Sequence, residues 1–221
     1  MYRKYFKRLF DFVCSLLALI VLSPVLLITA LLVRIKLGTP VIFKQKRPGI
    51  NEKIFTLYKF RTMTDQKDGQ GNILPDEVRI TKFGKMLRST SLDELPELWN
   101  ILKGNMSIVG PRPILIKDML FMTDEQRKRH SVLPGLTGLA QVNGRNAIPW
   151  EAKLLYDLDY INNISFFRDI GLILKTIVKA VRREDISQEG MDTALDLGDY
   201  LLAKNLITKD IYDKVLSDAQ D

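Results

Sequence analysis

Asp93 and Glu94 are adjacent carboxylates inside the run Arg88-Ser89-Thr90-Ser91-Leu92-Asp93-Glu94-Leu95-Pro96. Upstream, Lys59-Phe60-Arg61-Thr62-Met63 sets two cations at the end of a β-rich run, and downstream comes Gly110-Pro111-Arg112-Pro113. Two neighbouring carboxylates repel a phosphate, but they hold one through a shared divalent cation. A carboxylate is also a nucleophile towards phosphorus, giving an acyl phosphate. Lys59, Arg61, Arg88 and Arg112 would then supply the positive clamp on the transferring group. A plainer reading covers the same pair: Ser91 followed three residues later by Glu94 is a capping-box pattern, with both acids complementing a helix dipole. Pro96 weighs against it, because a helix starting at Ser91 would bury the proline in its interior, where it disrupts a hydrogen bond. A helix starting at Pro96 leaves both carboxylates on the approach to its N-terminus, beside N–H donors suited to phosphate.

The composition narrows the chemistry. With one cysteine, Cys14, and one histidine, His130, the 221-residue chain can build neither a disulfide framework nor a Cys- or multi-His metal site,. Any metal must use oxygen ligands, which favours Mg²⁺ or Mn²⁺ over zinc. The net charge of +7 is uneven: from Glu184 onwards ten acids and three lysines give −7, leaving +14 on residues 1–183. A body this basic suits a phosphate-rich partner such as nucleic acid, an anionic membrane or a phosphorylated substrate. The N-terminus favours the membrane.

Leu9 to Val33 is a largely apolar run in which Asp11 is the only charged residue. As one helix it would reach roughly 37 Å, enough for a hydrocarbon core of about 30 Å. Ser23-Pro24 interrupts it, however, and the two arms of roughly 21 and 15 Å are each too short to span. Arg3, Lys4, Lys7 and Arg8 precede the segment, and Arg34, Lys36, Lys44, Lys46 and Arg47 follow it. Positive charge favours the cytoplasmic side at both flanks. A re-entrant helix–break–helix satisfies both.

The remaining pattern predicts the frame around the chemistry. Val41–Gln45 and Ile54–Phe60 read as a β-hairpin, followed by a polar, mobile loop over Thr64–Asp76. Lys82–Arg88 and Leu95–Leu102 read as short helices, residues 104–113 as a structured loop, Asp124–Ser131 as helix, and Leu133–Arg145 as a loop entering a short strand at Ala140-Gln141-Val142. Trp150–Asn163 and Phe166–Arg183 read as helices. The second is amphipathic and basic, fitting either a membrane surface or the protein's own core. Asp192–Lys204 and Lys209–Ser217 form a small acidic helical appendage. The fold class is α+β.

These blocks carry a resemblance. Lys59 to Met63, Arg88 to Asn100, Met106-Ser107-Ile108-Val109-Gly110-Pro111-Arg112-Pro113 and Pro134-Gly135-Leu136-Thr137-Gly138-Leu139-Ala140-Gln141-Val142-Asn143-Gly144-Arg145 closely resemble the PglC-like small monotopic phosphoglycosyl transferases of the bacterial sugar transferase family. The likeness runs from the N-terminus to about Lys179. It implies a Mg²⁺-dependent ping-pong reaction on the cytoplasmic face of the inner membrane, with a hairpin broken at Ser23-Pro24. Asp93 would attack the sugar-linked phosphate of a UDP-sugar, release UMP and hold the phosphosugar for undecaprenyl phosphate. Glu94 would assist with metal or proton handling, and both carboxylates would ligate Mg²⁺. Lys59, Arg61, Arg88 and Arg112 fall among the substrate contacts, Asp157 near the site, and Arg145 at the nucleotide part.

The implied organisation is a re-entrant hairpin (1–36), a transferase domain (37–183) and an acidic tail (184–221) open to pathway glycosyltransferases or a second copy. No nucleic-acid partner is expected. The resemblance points to N-acetylated UDP-sugars, including the bacillosamine type used in protein glycosylation, and leaves capsule and O-antigen pathways open. Two rivals use the same residues: a membrane-associated phosphohydrolase of nucleotide sugars, and a non-enzymatic membrane adaptor.

Overall fold

The computed structural model describes residues 2–144, 148–182 and 195–218. A π-turn over Tyr2–Phe6 leads into helices α1 (Lys7–Val21) and α2 (Ser23–Leu37), and the pair is bent by 64° at Leu22. The break follows from its residues. Pro24 occupies the first turn of α2, where its missing N–H has no intrahelical partner to lose, and the Ser23 hydroxyl donates to the Ile20 carbonyl at 2.8 Å,. Among the described residues no single helix is long and apolar enough to cross a membrane, whereas the bent pair together is.

This pair is built inside out. Leu9, Ile20, Val21, Leu27, Ile28 and Leu31 are each more than half exposed, while Lys7, Asp11 and Ser15 are buried. The three polar residues are four apart, so they share one face of α1. That face has its partners in the protein: Asp11 accepts from the Ile108 N–H at 3.0 Å, and Lys7 pairs with Asp169 at 2.6 Å. Asp169 also accepts from the hydroxyls of Tyr2 and Tyr160, both at 2.8 Å. The Asp169→Ala variant would strand the Lys7 ammonium in a buried setting, which costs about 3–5 kcal/mol. A large fall in the melting temperature of the detergent-solubilised protein is the expected result.

After α2 come β1 (Ile42–Pro48) and β2 (Ile54–Phe60), an antiparallel hairpin with Ile42 opposite Phe60 and Pro48 opposite Ile54. The chain then forms α3 (Asp76–Arg79), α4 (Lys82–Ser89), a 3₁₀ turn over Leu92–Glu94, α5 (Glu97–Lys103) and β3 (Ser107–Val109). Next are α6 (Ile116–Leu120), α7 (Asp124–Arg127) with a 3₁₀ extension to Ser131, β4 (Gly135–Thr137) and α8 (Leu139–Val142). Helices α9 (Trp150–Asn162), α10 (Phe166–Arg182), α11 (Leu197–Ala203) and α12 (Lys209–Ser217) complete the described chain. The architecture is α+β, mainly helical, with two small two-stranded sheets among the described residues: the hairpin and a parallel β3–β4 pair.

Two expectations need correction. Ala140-Gln141-Val142 is helix α8, because extended Gly138 acts as the turn into a helix rather than the start of a strand. Residues 104–113 are free of helix, as expected, but include β3. Its partner lies about 28 residues away at Gly135–Thr137, so no local pattern announces it,.

Three of the four apolar clusters among the described residues join these elements. Phe55, Leu57, Leu98, Ile101 and Met106 tie the hairpin to α5, Val33 and Leu37 of α2 meet Phe60 and Leu87, and Val109, Val142, Tyr160 and Leu172 unite the β3 region with α8, α9 and α10. Helix α10 therefore serves its own core through Leu172 while still leaving Phe167, Leu174, Ile177 and Val178 exposed. The described part of the tail is docked onto the body. Leu197 N–H donates to Asp118 at 2.8 Å, the Trp150 indole to the Leu195 carbonyl at 2.9 Å, and Phe121 stacks on Tyr212.

Candidate functional site

Helix α5 begins just after Pro96, so the carboxylates sit in the 3₁₀ turn before it. Ser91 adopts a left-handed conformation, φ 55°, and makes no side-chain capping bond, which removes the capping-box explanation of the pair. Two clamps fix α5. At its C-terminal end Arg8 donates to the carbonyls of Ile101 and Leu102 at 2.6 and 2.7 Å, joining the Gly104 N–H on the first of them,. On its flank, buried Asn100 donates to the Thr56 carbonyl at 2.7 Å and accepts from the Tyr58 N–H at 3.1 Å. Asn100 thereby holds α5 against β2, and the next strand residue, Lys59, reaches the carboxylates.

Lys59 Nζ lies 2.9 Å from Glu94 Oε1 and 3.0 Å from Glu97 Oε1. The second contact is an ion pair by distance only, since Glu97 Oε1 has no partner in hydrogen-bonding geometry. Arg112 Nη2 donates to the same Glu94 oxygen at 2.5 Å. The Arg112 side chain is 46% exposed, so water screens its part of the pairing,. Its backbone is nevertheless firmly placed: the Gly135 N–H donates to the Pro111 carbonyl at 2.9 Å, and Arg129 donates to the Arg112 carbonyl at 2.7 Å. Arg88 is carried by α4, which Gly84 allows to press on the preceding loop. A Cβ at Gly84 would lie 1.9 Å from the Thr62 carbonyl oxygen. One turn later, Arg88 Nε donates to the Thr62 hydroxyl at 3.2 Å.

The neighbouring carboxylates are electrostatically unequal. Burial opposes ionisation of Glu94, but the Arg112 guanidinium and the Lys59 ammonium outweigh it and hold its pKa far below the ordinary range. Asp93 is pushed up to about 6, by burial first and the Glu94 charge second, against the pull of Lys59, Arg88 and Arg112. Burial pushes Glu97 up to about 7, with Lys59 again opposing. Glu94 is thus a fixed anion locked to two cations. Asp93 is ionised at neutral pH but remains basic, a combination suited to attack on phosphorus. Because ionised Asp93 is the active form and its pKa is raised, rate falls as pH drops. A single-turnover pH profile should show an acid limb of unit slope below pH about 6.

Of the residues proposed from the sequence, Asp93, Glu94, Lys59 and Arg112 converge, and Arg88 lies close enough to act on the Asp93 charge. Arg61 does not join them. Its guanidinium donates to the carbonyls of Met63 and Thr39 at 2.8 and 2.5 Å and pairs with Asp65 at 2.5 Å, fastening the end of β2 to its flanking loops. Asp157 stands one step back, ion-paired at 2.7 Å with the Arg129 that holds the Arg112 backbone. Arg145 lies outside the described residues. The sequence reading overlooked Glu97, Asn100 and Arg129 as parts of the site. Glu97 was open to discovery as the acid three residues beyond Glu94, whereas Asn100 and Arg129 act through contacts no spacing reveals.

Residues 2–183 match the family model described as bacterial sugar transferase. The chain is 52% identical over 188 residues to "Uncharacterized sugar transferase EpsL" of Bacillus subtilis (strain 168), covering 85% of this chain and 93% of that protein. It is 42% identical over 184 residues to "UDP-glucose:undecaprenyl-phosphate glucose-1-phosphate transferase" of Klebsiella pneumoniae, covering 79% of this chain and 40% of that one. It is 36% identical over 201 residues to "Undecaprenyl-phosphate galactose phosphotransferase" of Salmonella typhimurium, covering 82% of this chain and 41% of the relative. The match contains every residue of the carboxylate cluster and stops where the acidic tail begins. The chain belongs to the bacterial sugar transferase family.

Proposed function

We propose that this chain transfers a sugar 1-phosphate from a UDP-sugar to undecaprenyl phosphate, through a covalent intermediate on Asp93. The observation that carries the reading is the division of labour in the pair: Glu94 is tied to Lys59 and Arg112, while buried Asp93 keeps a raised pKa beside them. The names of the Klebsiella and Salmonella relatives describe transfer to undecaprenyl phosphate, and this chain spans about two-fifths of each of them.

In the first half-reaction an Asp93 oxygen attacks the sugar-bearing phosphorus. The bond from that phosphorus to the bridging oxygen breaks, and UMP departs with the electron pair. In the second, an oxygen of the lipid phosphate attacks the same phosphorus and Asp93 leaves as the carboxylate. Lys59, Arg88 and Arg112 are placed to offset charge on the phosphate oxygens. Among the described residues no three His, Cys, Asp or Glu side chains gather as a metal cage. Mg²⁺ fits the pair differently, since it takes one or two protein carboxylates and fills its shell with phosphate and water oxygens. Asp93 and Glu94, whose mutual repulsion raises the Asp93 pKa, would be those ligands. Bound there, Mg²⁺ would neutralise charge on the diphosphate during transfer.

The acceptor dictates the location. Each CH₂ of a polyprenyl chain drawn into water costs about 0.8 kcal/mol, so the site must work at headgroup level. We assign α1 and α2 to a re-entrant hairpin in the cytoplasmic leaflet of the inner membrane, with α10 lying along the surface. Support comes from where the arms end: α1 starts against α5 and α10, and α2 finishes against Phe60 and Leu87 of the same body. A spanning segment would separate those ends. A reporter fused before Met1 should map to the cytoplasm, and a periplasmic position would sink the hairpin.

The Klebsiella and Salmonella relatives are named for glucose and galactose, so UDP-hexoses head the donor panel, followed by the N-acetylated donors expected from the sequence. With the correct donor and no lipid, UMP release should stop after about one equivalent per enzyme, the signature of a trapped covalent intermediate. Adding undecaprenyl phosphate should restart it. Steady release of UMP and sugar phosphate without lipid would instead identify a phosphohydrolase.

A further inference from the structure

Gln141, on α8, is 6% exposed, and neither Oε1 nor Nε2 of its amide has a hydrogen-bond partner among the described residues. Gln141 is among the residues that line a cavity of about 300 Å³, as are Glu94 and Arg112. Leu95, Ile108, Leu136 and Ile173 are among its apolar walls. Thr90, Ser91, Thr137 and Thr176 line it as well: Thr137 and Thr176 hydrogen-bond each other at 2.5 Å, and the Thr90 hydroxyl donates to the Met86 carbonyl at 3.0 Å. The fold makes room for the amide. A Cβ at Gly138 would meet the Gly110 carbonyl at 2.1 Å and Gln141 Oε1 at 2.6 Å. A buried amide with both ends unpaired is costly, and a ligand that pairs both removes that cost.

We infer that this cavity is the nucleobase subsite of the donor, with Gln141 reading the imide edge of uracil. The N3–H of the base donates to the amide oxygen, and the adjacent carbonyl accepts from the amide N–H. The flat ring packs between the aliphatic walls, and the nucleotide's phosphates extend towards Arg112 and the carboxylate cluster. This inference rests on the uridine-nucleotide reading proposed above. A polyprenyl chain would satisfy the walls but leave both ends of the Gln141 amide unpaired, which is why the base is the better occupant.

The test uses the full chain in detergent and three soluble probes: UMP, N3-methyl-UMP and ribose 5-phosphate. Methylation removes the imide donor and blocks the approach of the amide. Wild type is expected to bind UMP about tenfold more tightly than N3-methyl-UMP, the worth of a buried hydrogen bond and an avoided unpaired group. In Gln141→Met, similar in length but without the amide, that ratio should shrink to about twofold or less through weaker UMP binding, while ribose 5-phosphate binds as before. Ile173→Trp, which fills the cavity from α10, should weaken UMP relative to ribose 5-phosphate. Tenfold discrimination surviving in Gln141→Met, or an Ile173→Trp effect confined to the KM for lipid, would overturn the subsite. If wild type binds UMP no better than ribose 5-phosphate, the uridine donor falls and the subsite with it. If UMP is preferred but Gln141→Met keeps the discrimination, only the subsite falls.

Discussion

Replacing Asp93 with asparagine is expected to lower turnover by about a thousandfold or more, because the variant cannot form the acyl phosphate. The fold should tolerate the change. Asp93 carries a pKa of about 6 in the protein, so its neutral form is already accessible near physiological pH, and asparagine keeps that shape without the charge. The expected pattern is an unaltered melting temperature together with no UMP burst. Glu94→Gln should behave differently: it keeps an oxygen acceptor but removes the negative charge that Lys59 and Arg112 share, so the two cations lose their common counter-ion,. A variant at 93 with near wild-type turnover would remove the nucleophile from the account, and would revive the adaptor reading if cellular function also persisted.

The second large effect is at Lys59. Its ammonium bridges Glu94 and Glu97 and is among the charges that hold down the Asp93 pKa. Lys59→Met should reduce kcat/KM by about a hundred- to a thousandfold, the range for losing one preorganised charge contact to the transition state. The direction of the pH effect follows from the same geometry. Without the cation, Asp93 and Glu97 are harder to ionise, so the acid limb should move above pH 6. A purely structural lysine would lower activity without moving that limb. Measuring the single-turnover rate from pH 5 to 9 in both proteins separates the cases.

Much of this site was open to sequence reading because its chemistry depends on residue types that few other roles require together. Asp93-Glu94 before Pro96, the cations at Lys59 and Arg112, and the break at Ser23-Pro24 each carry a local physical signature, and the structure brings the charged set together. Charge type alone could not separate Arg112 from Arg61. Both follow short extended segments, but Arg61 is consumed by neighbouring carbonyls and Arg112 by Glu94. Nor could local pattern find the supports. Asn100 looks like any helical asparagine until β2 packs beside it, and the parallel β3–β4 pair joins three-residue segments whose pairing exists only in the fold. Asp11 is the instructive middle case. It reads as one stray charge in an apolar run, yet its spacing of four from Lys7 and Ser15 marks the face of α1 that turns towards the protein,. That stripe, with Arg8 capping α5, links the apolar helix pair to the helix that presents the carboxylates.

The claim of a covalent Asp93 intermediate can be put to one direct measurement. The purified protein is mixed with UDP-sugar and Mg²⁺ in the absence of lipid, quenched in acid, digested and analysed by mass spectrometry. The account predicts that the peptide containing Asp93 gains the mass of the phosphosugar, that undecaprenyl phosphate added before quenching removes it, and that Asp93→Asn never acquires it. An adduct on another residue, or full transfer to lipid with no adduct at any time during turnover, would contradict the account.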